Sequence, residues 1–291
     1  MIKSALTESF SNIINNGHLV GGRMDLDPTS IVCCPPPLFH CFGLVMGFLA
    51  SLTHGSSIVF PSETFDAGVV LDTIAAEKCT TILGVPTMFV AEMELNRKKK
   101  VKITSVKVAL AAGSPVPQAV MKMMDVEMGI KDILIAYGMT ETSPVTFMTS
   151  LTDSQESRLK TVGTVLAHTG AKIVDKQGNI VPRGVRGEIC TSGYALQKGY
   201  HQNELKTKEV MKRDENGVLW MHTGDEGIID EAGYCSITGR IKDIIIRGKR
   251  VQTLPTVGVP RLTVGKGAKT FSLWRSRSVC LHIPQLVRPV W

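Results

Sequence analysis

The chain has 291 residues, 43% hydrophobic and 20% charged, with no low-complexity tract; this excludes a wholly disordered or fibrous protein and leaves room for one or two folded domains. Its formal charge of +7 is concentrated at one end: residues 1–243 carry 24 basic against 26 acidic side chains, and the remaining 9 Lys and Arg lie in 244–291, where there is no acidic residue. The body is therefore near neutral, and overall basicity is no argument for a nucleic-acid partner.

Met1 to Asn16 lacks the continuous apolar block of an export signal, and Ser4 to Asn16 has the character of a helix. From Ser30 to Glu141 one pattern repeats, a short β-rich apolar run, a turn with Pro or Gly, then a helix-like segment, which predicts parallel α/β construction. Strands are expected at Ile31 to Cys34, Ser57 to Phe60, Thr80 to Leu83, Val106 to Leu110 and Ile133 to Ala136. Helices are expected at Ala67 to Glu77, Thr87 to Leu95 and Pro117 to Met128, from apolar residues at helical spacing. The longest apolar run, Phe42 to Leu52, is too short to cross a bilayer and predicts a buried helix, so no membrane span is expected. Arg97 to Lys100 is expected as a solvated loop. The seven cysteines, an odd number with no CxxC pair, fit a reducing compartment and small core residues.

Four of the strands run into loops of unusual chemistry: Pro35 to Gly43, Gly84-Val85-Pro86-Thr87, Ala112-Gly113-Ser114-Pro115 and Tyr137-Gly138-Met139-Thr140-Glu141. Ligands of open α/β sheets bind beyond the carboxyl ends of the strands, so the sequence gathers four candidate loops at one edge. After about Thr161 the pattern changes to short strands separated by turns, with Gln177-Gly178 and Ala232-Gly233 at hairpin bends and one helix from Asn203 to Met211. A small β-barrel or sheet beside the α/β unit is expected. The divisions are 1–160 for a partial α/β subdomain, 161–239 for the barrel-like one, 240–250 for a hinge and the opening of a further domain, and 251–291 for an acid-free, disordered tail.

Tyr137 leaves a strand into a glycine turn that would let its ring lie against a planar base. Thr140 offers a hydroxyl to a phosphate and Glu141 a hard oxygen ligand to Mg²⁺. The plainer alternative is a Tyr capping the core and a Glu in the first turn of a helix. Asp225, after Thr223-Gly224, can accept from both hydroxyls of a ribose or bond its own turn. Arg240 can donate to the same sugar or be a surface charge, and His40 can meet a reacting carboxylate or phosphate or sit in the core.

As an ordered set, AYGMTETSPVTF, PPPLFHCFG, GVPTMFV, Thr223-Gly224-Asp225 and GRIKDIIIRG resemble the superfamily of AMP-forming acyl-CoA synthetases, luciferases and nonribosomal adenylation domains over about Ser4 to Arg250. The wording is similar to the medium-chain acyl-CoA synthetase branch, including fungal acyl-CoA ligases of secondary metabolism; adenylation domains usually have Pro where Met139 stands. The resemblance implies a ligase that activates a small carboxylic acid with Mg-ATP as an acyl-adenylate and passes it to coenzyme A, in fatty-acid or secondary metabolism. It assigns Tyr137 to one side of adenine and Ala112, Gly113 and Ser114 to the other, Gly138 and Met139 to the same nucleotide site, Asp225 and Arg240 to ribose, and Thr140 and Glu141 to phosphate and Mg²⁺. It also assigns His40 and Gly84, Val85, Pro86, Thr87 and Met88 to the acyl pocket, and Lys242-Asp243 to the hinge.

The superfamily's phosphate loop, first α/β subdomain and C-terminal domain with its lysine have no counterpart in the sequence, so a weakly active or inactive chain is expected. The alternative is a noncatalytic remnant that binds nucleotide or a partner. The ending Arg288-Pro-Val-Trp291 is not the peroxisomal tripeptide of some relatives, which makes the cytosol the default expectation.

Overall fold

The computed structural model describes residues 6–241, with the backbone of three short strands after them. The chain opens with β1 (Leu6–Thr7) and α1 (Phe10–Arg23). This helix starts at Phe10 rather than Ser4 and continues to Arg23. Ser9 caps it by accepting from the Asn12 N–H at 3.3 Å, while Leu6 and Thr7 are held extended against Tyr200 and Gly199.

Next come β2 (Ile31–Cys33), a π-helical stretch Phe42–Leu49 that continues as α2 (Ala50–His54), β3 (Ser57–Phe60) and α3 (Ala67–Glu77). Asp66 starts α3 by accepting from the N–H groups of Gly68 and Val69. Then follow β4 (Thr81–Gly84), α4 (Pro86–Lys99), β5 (Val108–Ala111), α5 (Gln118–Met128) and β6 (Asp132–Gly138). Pro86 opens α4, where its missing N–H costs no helical bond. The basic run is not a loop: Arg97, Lys98 and Lys99 form the last turn of α4, where cations complement the helix dipole, and Arg97 and Lys99 pair with Glu127 and Asp72. A 3₁₀ turn (Thr140–Thr142), β7 (Val145–Met148), α6 (Gln155–Lys160) and β8 (Thr164–Val165) complete this half.

The main sheet has β3, β2, β4, β5 and β6 parallel and in that order, with β7 and β8 added antiparallel beyond β6. β4 and β5 are buried along their whole length, which explains the unbroken apolar sequence of β5 and the single polar residue, Thr81, of β4. The chain leaves β2 toward β3 and returns on the other side to β4, so the order reverses at β2. Helix α1, the π-helical stretch and α2 cover one face around Val20, Met46, Ala50 and Leu110; α3, α4 and α5 cover the other around Ile74, Phe89, Met93 and Met124. Cys33, Cys34, Cys79, Cys190 and Cys235 are buried free thiols, as the core reading expects.

The second sheet is built from β9 (Thr169–Val174), β10 (Gly187–Gly193), β12 (Met211–Arg213), the long β13 (Leu219–Ile229) and β14 (Cys235–Arg240). Between β10 and β12 lie β11 (Gly199–Tyr200), which pairs with β1, and α7 (Glu204–Val210), capped by Asn203. Phe147 of β7 packs with Ile173, Ile189 and Cys235, joining the two sheets. Of the tail, β15 (Ile244–Arg247), β16 (Arg250–Thr253) and β17 (Val279–Leu281) are extended, the first two paired with each other and the third with β3; the rest of 251–291 lies outside the described residues. Among the described residues no helix is long and apolar enough to cross a membrane.

Candidate functional site

The four loops singled out from the sequence all follow the carboxyl ends of neighbouring parallel strands, β2, β4, β5 and β6, beside the reversal at β2 where such sheets open a crevice. The 35–43 loop turns sharply because Gly43 sits under the carbonyls of Pro36 and Pro37; a Cβ there would lie 2.4 Å from the Pro37 oxygen. His40 is exposed, which removes the core reading, and its Nδ1 accepts the Phe42 N–H at 3.1 Å. Next to it, Cys41 Sγ lies 3.8 Å from Thr140 Oγ1, so this loop meets the turn after β6.

Gly84 ends β4 against the Phe89 ring; Val85 and buried Pro86 start α4, with Thr87 exposed and Met88 half-buried. Ala112 is buried at the end of β5, whereas Gly113 and Ser114 are exposed. Gly113 has φ +84° and backs onto Val85, which brings the second and third loops together. Gly138 is equally constrained, since a Cβ on it would overlap the Pro144 carbonyl oxygen.

Beside the apolar contact of Phe147, a polar link joins the two sheets. Tyr137 donates its hydroxyl to Asp225 Oδ2 at 2.7 Å, and Arg240 Nε donates to Asp225 Oδ1 at 3.1 Å. Burial, and then the Asp225 charge, push the Tyr137 phenol well above its ordinary pKa, so it stays a donor. Asp225 is only 9% exposed, yet a carboxylate has more acceptor sites than these two bonds use.

Asp225 reaches this place through a β-bulge. Where β10 advances from Glu188 to Cys190, β13 advances from Glu226 back to His222, so Thr223, Gly224 and Asp225 face Ile189 alone. Gly224 takes φ +73°. Its N–H donates to Glu188 Oε1 at 3.0 Å, the Thr223 hydroxyl donates to the Ile189 carbonyl at 2.8 Å, and the Asp225 N–H donates to Thr223 Oγ1 at 3.1 Å. The bulge turns the Asp225 side chain toward Tyr137.

The turn after β6 carries the remaining candidates. Thr140 is exposed, and half-buried Glu141 accepts from the Tyr200 hydroxyl at 2.8 Å through Oε1. That leaves Oε2 for a hard cation that keeps most of its waters, so the residues present fit Mg²⁺. Met139 donates its N–H to Thr142 Oγ1, and the Thr142 hydroxyl donates to the Pro144 carbonyl at 2.6 Å, closing the turn on itself. Behind it Asn16 of α1 bonds both groups of the Val145 peptide, giving Nδ2–H to the carbonyl at 2.8 Å and accepting the N–H through Oδ1 at 3.0 Å. Tyr200, Glu188 and Asn16 were not among the sequence candidates: each acts across more than thirty positions, and no local pattern marks it. Lys242 and Asp243, the expected hinge, lie outside the described residues.

The site thus offers a buried acceptor carboxylate, a flat aromatic side chain, backbone-lined loops and free oxygens for a cation. The chain is 54% identical over 237 residues to the acyl-CoA ligase sidI of Aspergillus fumigatus, covering 81% of this chain and 40% of that protein. It is 42% identical over 245 residues to the mitochondrial medium-chain acyl-CoA ligase ACSF2 of Danio rerio, covering 83% and 40%. The O-succinylbenzoate coenzyme A synthetase MenE of Bacillus subtilis, solved with ATP and magnesium ion, superposes with a TM-score of 0.73 at 26% identity over 86% of this chain and 50% of that one. The chain therefore spans about two fifths of the length of these curated relatives. The family model for AMP-binding enzymes matches residues 5–201, which is more than half the chain and contains all four strand-end loops, and on that match the chain belongs to the AMP-binding enzyme family.

Proposed function

We propose that this chain carries the adenylate-forming site of an acyl-CoA ligase, which activates a small carboxylic acid with ATP and transfers it to coenzyme A. The observation that carries the reading is the 2.7 Å bond from Tyr137 to Asp225, made between a strand-end loop of one sheet and a bulge of the other, 88 positions apart. In this reading Tyr137 and the 112–114 backbone flank adenine, and Asp225 uses its spare acceptor sites, with Arg240, on the ribose hydroxyls. Thr140 donates to a phosphate oxygen. Glu141 and water hold Mg²⁺, which when bound offsets the charge on the phosphates. His40 and the 84–88 segment border the acyl group, whose carboxylate attacks the α-phosphate and releases pyrophosphate; the coenzyme A thiol then displaces AMP. Relatives named acyl-CoA ligase, among them sidI of Aspergillus fumigatus and the medium-chain acyl-CoA ligase ACSF2 of Danio rerio, support an acyl substrate; in this reading it is a fatty-acid or secondary-metabolite acid.

Titration calorimetry of the chain with AMP tests the site. Binding is expected, and Asp225→Ala is expected to weaken it at least tenfold; no heat with either AMP or ATP refutes the reading. Pyrophosphate exchange with a panel of fatty and hydroxy acids, compared with Glu141→Ala, then tests the reaction.

A further inference from the structure

A second cluster of donors lies outside the nucleotide cleft, on the β10–β13 pair. Glu188 and Cys190, two apart on β10, share one face of the strand, and the ladder pairs Cys190 with His222. His222 Nδ1 lies 2.9 Å from Glu188 Oε2 and 3.5 Å from Cys190 Sγ, and donor atoms of all three residues fall within 4.8 Å of one another. Cys190 is fully buried, whereas the side chains of Glu188 and His222 are 22% and 21% exposed, so the cluster is reachable from solvent on one side.

These separations suit one ion. With metal bonds of about 2.0 Å to N and O and about 2.3 Å to S, the N···O and N···S distances correspond to ligand–metal–ligand angles of about 93° and about 109°. Thiolate, imidazole and carboxylate together select a borderline-soft divalent cation over Mg²⁺ or Ca²⁺. We infer that Glu188, Cys190 and His222 form a binding site for a zinc-class divalent cation, with water as fourth ligand, built against the bulge that aims Asp225.

Glu188 gives the site its link to the cleft. Oε2 serves the metal while Oε1 stays on the Gly224 N–H, so an ion here holds the bulge from behind. Binding exchanges the thiol proton for the metal: the S–H bond breaks, the S–metal bond forms, and one proton leaves to solvent, while the Nδ1 proton that His222 gives to Glu188 moves to Nε2 and frees the Nδ1 lone pair. Burial and then the Glu188 charge push the free Cys190 thiol up to about 12, whereas Lys172 of β9 and Lys212 of β12 favour the thiolate.

The test is titration of the full chain with Co²⁺, followed by the near-ultraviolet thiolate-to-cobalt charge-transfer absorption, and it uses no nucleotide, so it stands apart from the test of the proposed function. The expected result is a band saturating at about one equivalent, lost in Cys190→Ser and shifted at least tenfold to weaker binding in His222→Gln. Circular dichroism checks that each variant is folded; if Cys190→Ser is not, His222→Gln alone decides. Absence of the band in the wild-type chain overturns the inference, as does a band unchanged in either folded variant.

Discussion

Glu92 of α4 is a carboxylate with no exposure and no hydrogen-bond partner for either oxygen among the described residues, packed in the apolar layer with Phe89 and Met93. Burial raises its pKa from 4.5 to about 8. The sign follows directly. Below pH 4.5 both folded and unfolded chains hold the proton and there is no penalty. Between 4.5 and 8 the unfolded chain releases the proton while the folded chain keeps it, so stability falls as pH rises; above 8 the loss is constant. At about 1.4 kcal/mol per unit, the penalty is about 3 kcal/mol at pH 7 and about 5 kcal/mol above pH 8. Glu92→Met, unbranched and of similar volume, removes it. Urea unfolding of both proteins at pH 5 and pH 7 is expected to show the variant's advantage growing by about 3 kcal/mol between the two. An advantage that does not change with pH, or a variant less stable than wild type at pH 7, refutes the argument.

Three further outcomes follow from the site. Asn16→Leu leaves both groups of the Val145 peptide without their partner in a buried place and is expected to cost about 2–4 kcal/mol in urea unfolding. Tyr137→Phe removes a hydrogen bond to a carboxylate that ties the two sheets together; stability measured by urea unfolding is expected to fall by about 1.5–3 kcal/mol. Gly138→Ala drives a Cβ into the Pro144 carbonyl, so the turn must open, and loss of AMP binding is expected with the circular dichroism spectrum largely retained.

The helices and strands of the parallel unit were legible because local signals agree there: Ser57–Phe60 and Ala67–Glu77 fall where apolar runs, Asp66 and the turn residues put them. The misses have physical causes. Helix α1 begins at Phe10 because a β-pairing partner some 190 positions away claims Leu6 and Thr7, and α4 absorbs Arg97–Lys99 because the helix dipole and two ion pairs favour cations in its last turn. β7 was not foreseen, since Val145–Met148 follows directly on the loop motif and its edge is completed by a side chain, Asn16. At the site, the loop positions could be read from strand ends, and the 84–88 and 112–114 loops do adjoin. The pairing of Tyr137 with Asp225 was legible only through the family resemblance, because a bulge, unlike a strand, leaves no periodic trace.

The pair of hydrogen bonds between Asn16 and the backbone of Val145 has a mechanical consequence. An amide that occupies both hydrogen-bonding groups of Val145 acts as a one-residue strand, so helix α1 is stitched to the segment immediately after the 140–143 turn. Ligand-driven displacement of that turn must carry α1 with it or break two bonds at once. Rearrangement on ligand binding is therefore expected in the second sheet and at the exposed tip Leu38–His40 of the 35–43 loop, with the β6–β7 turn as the fixed reference.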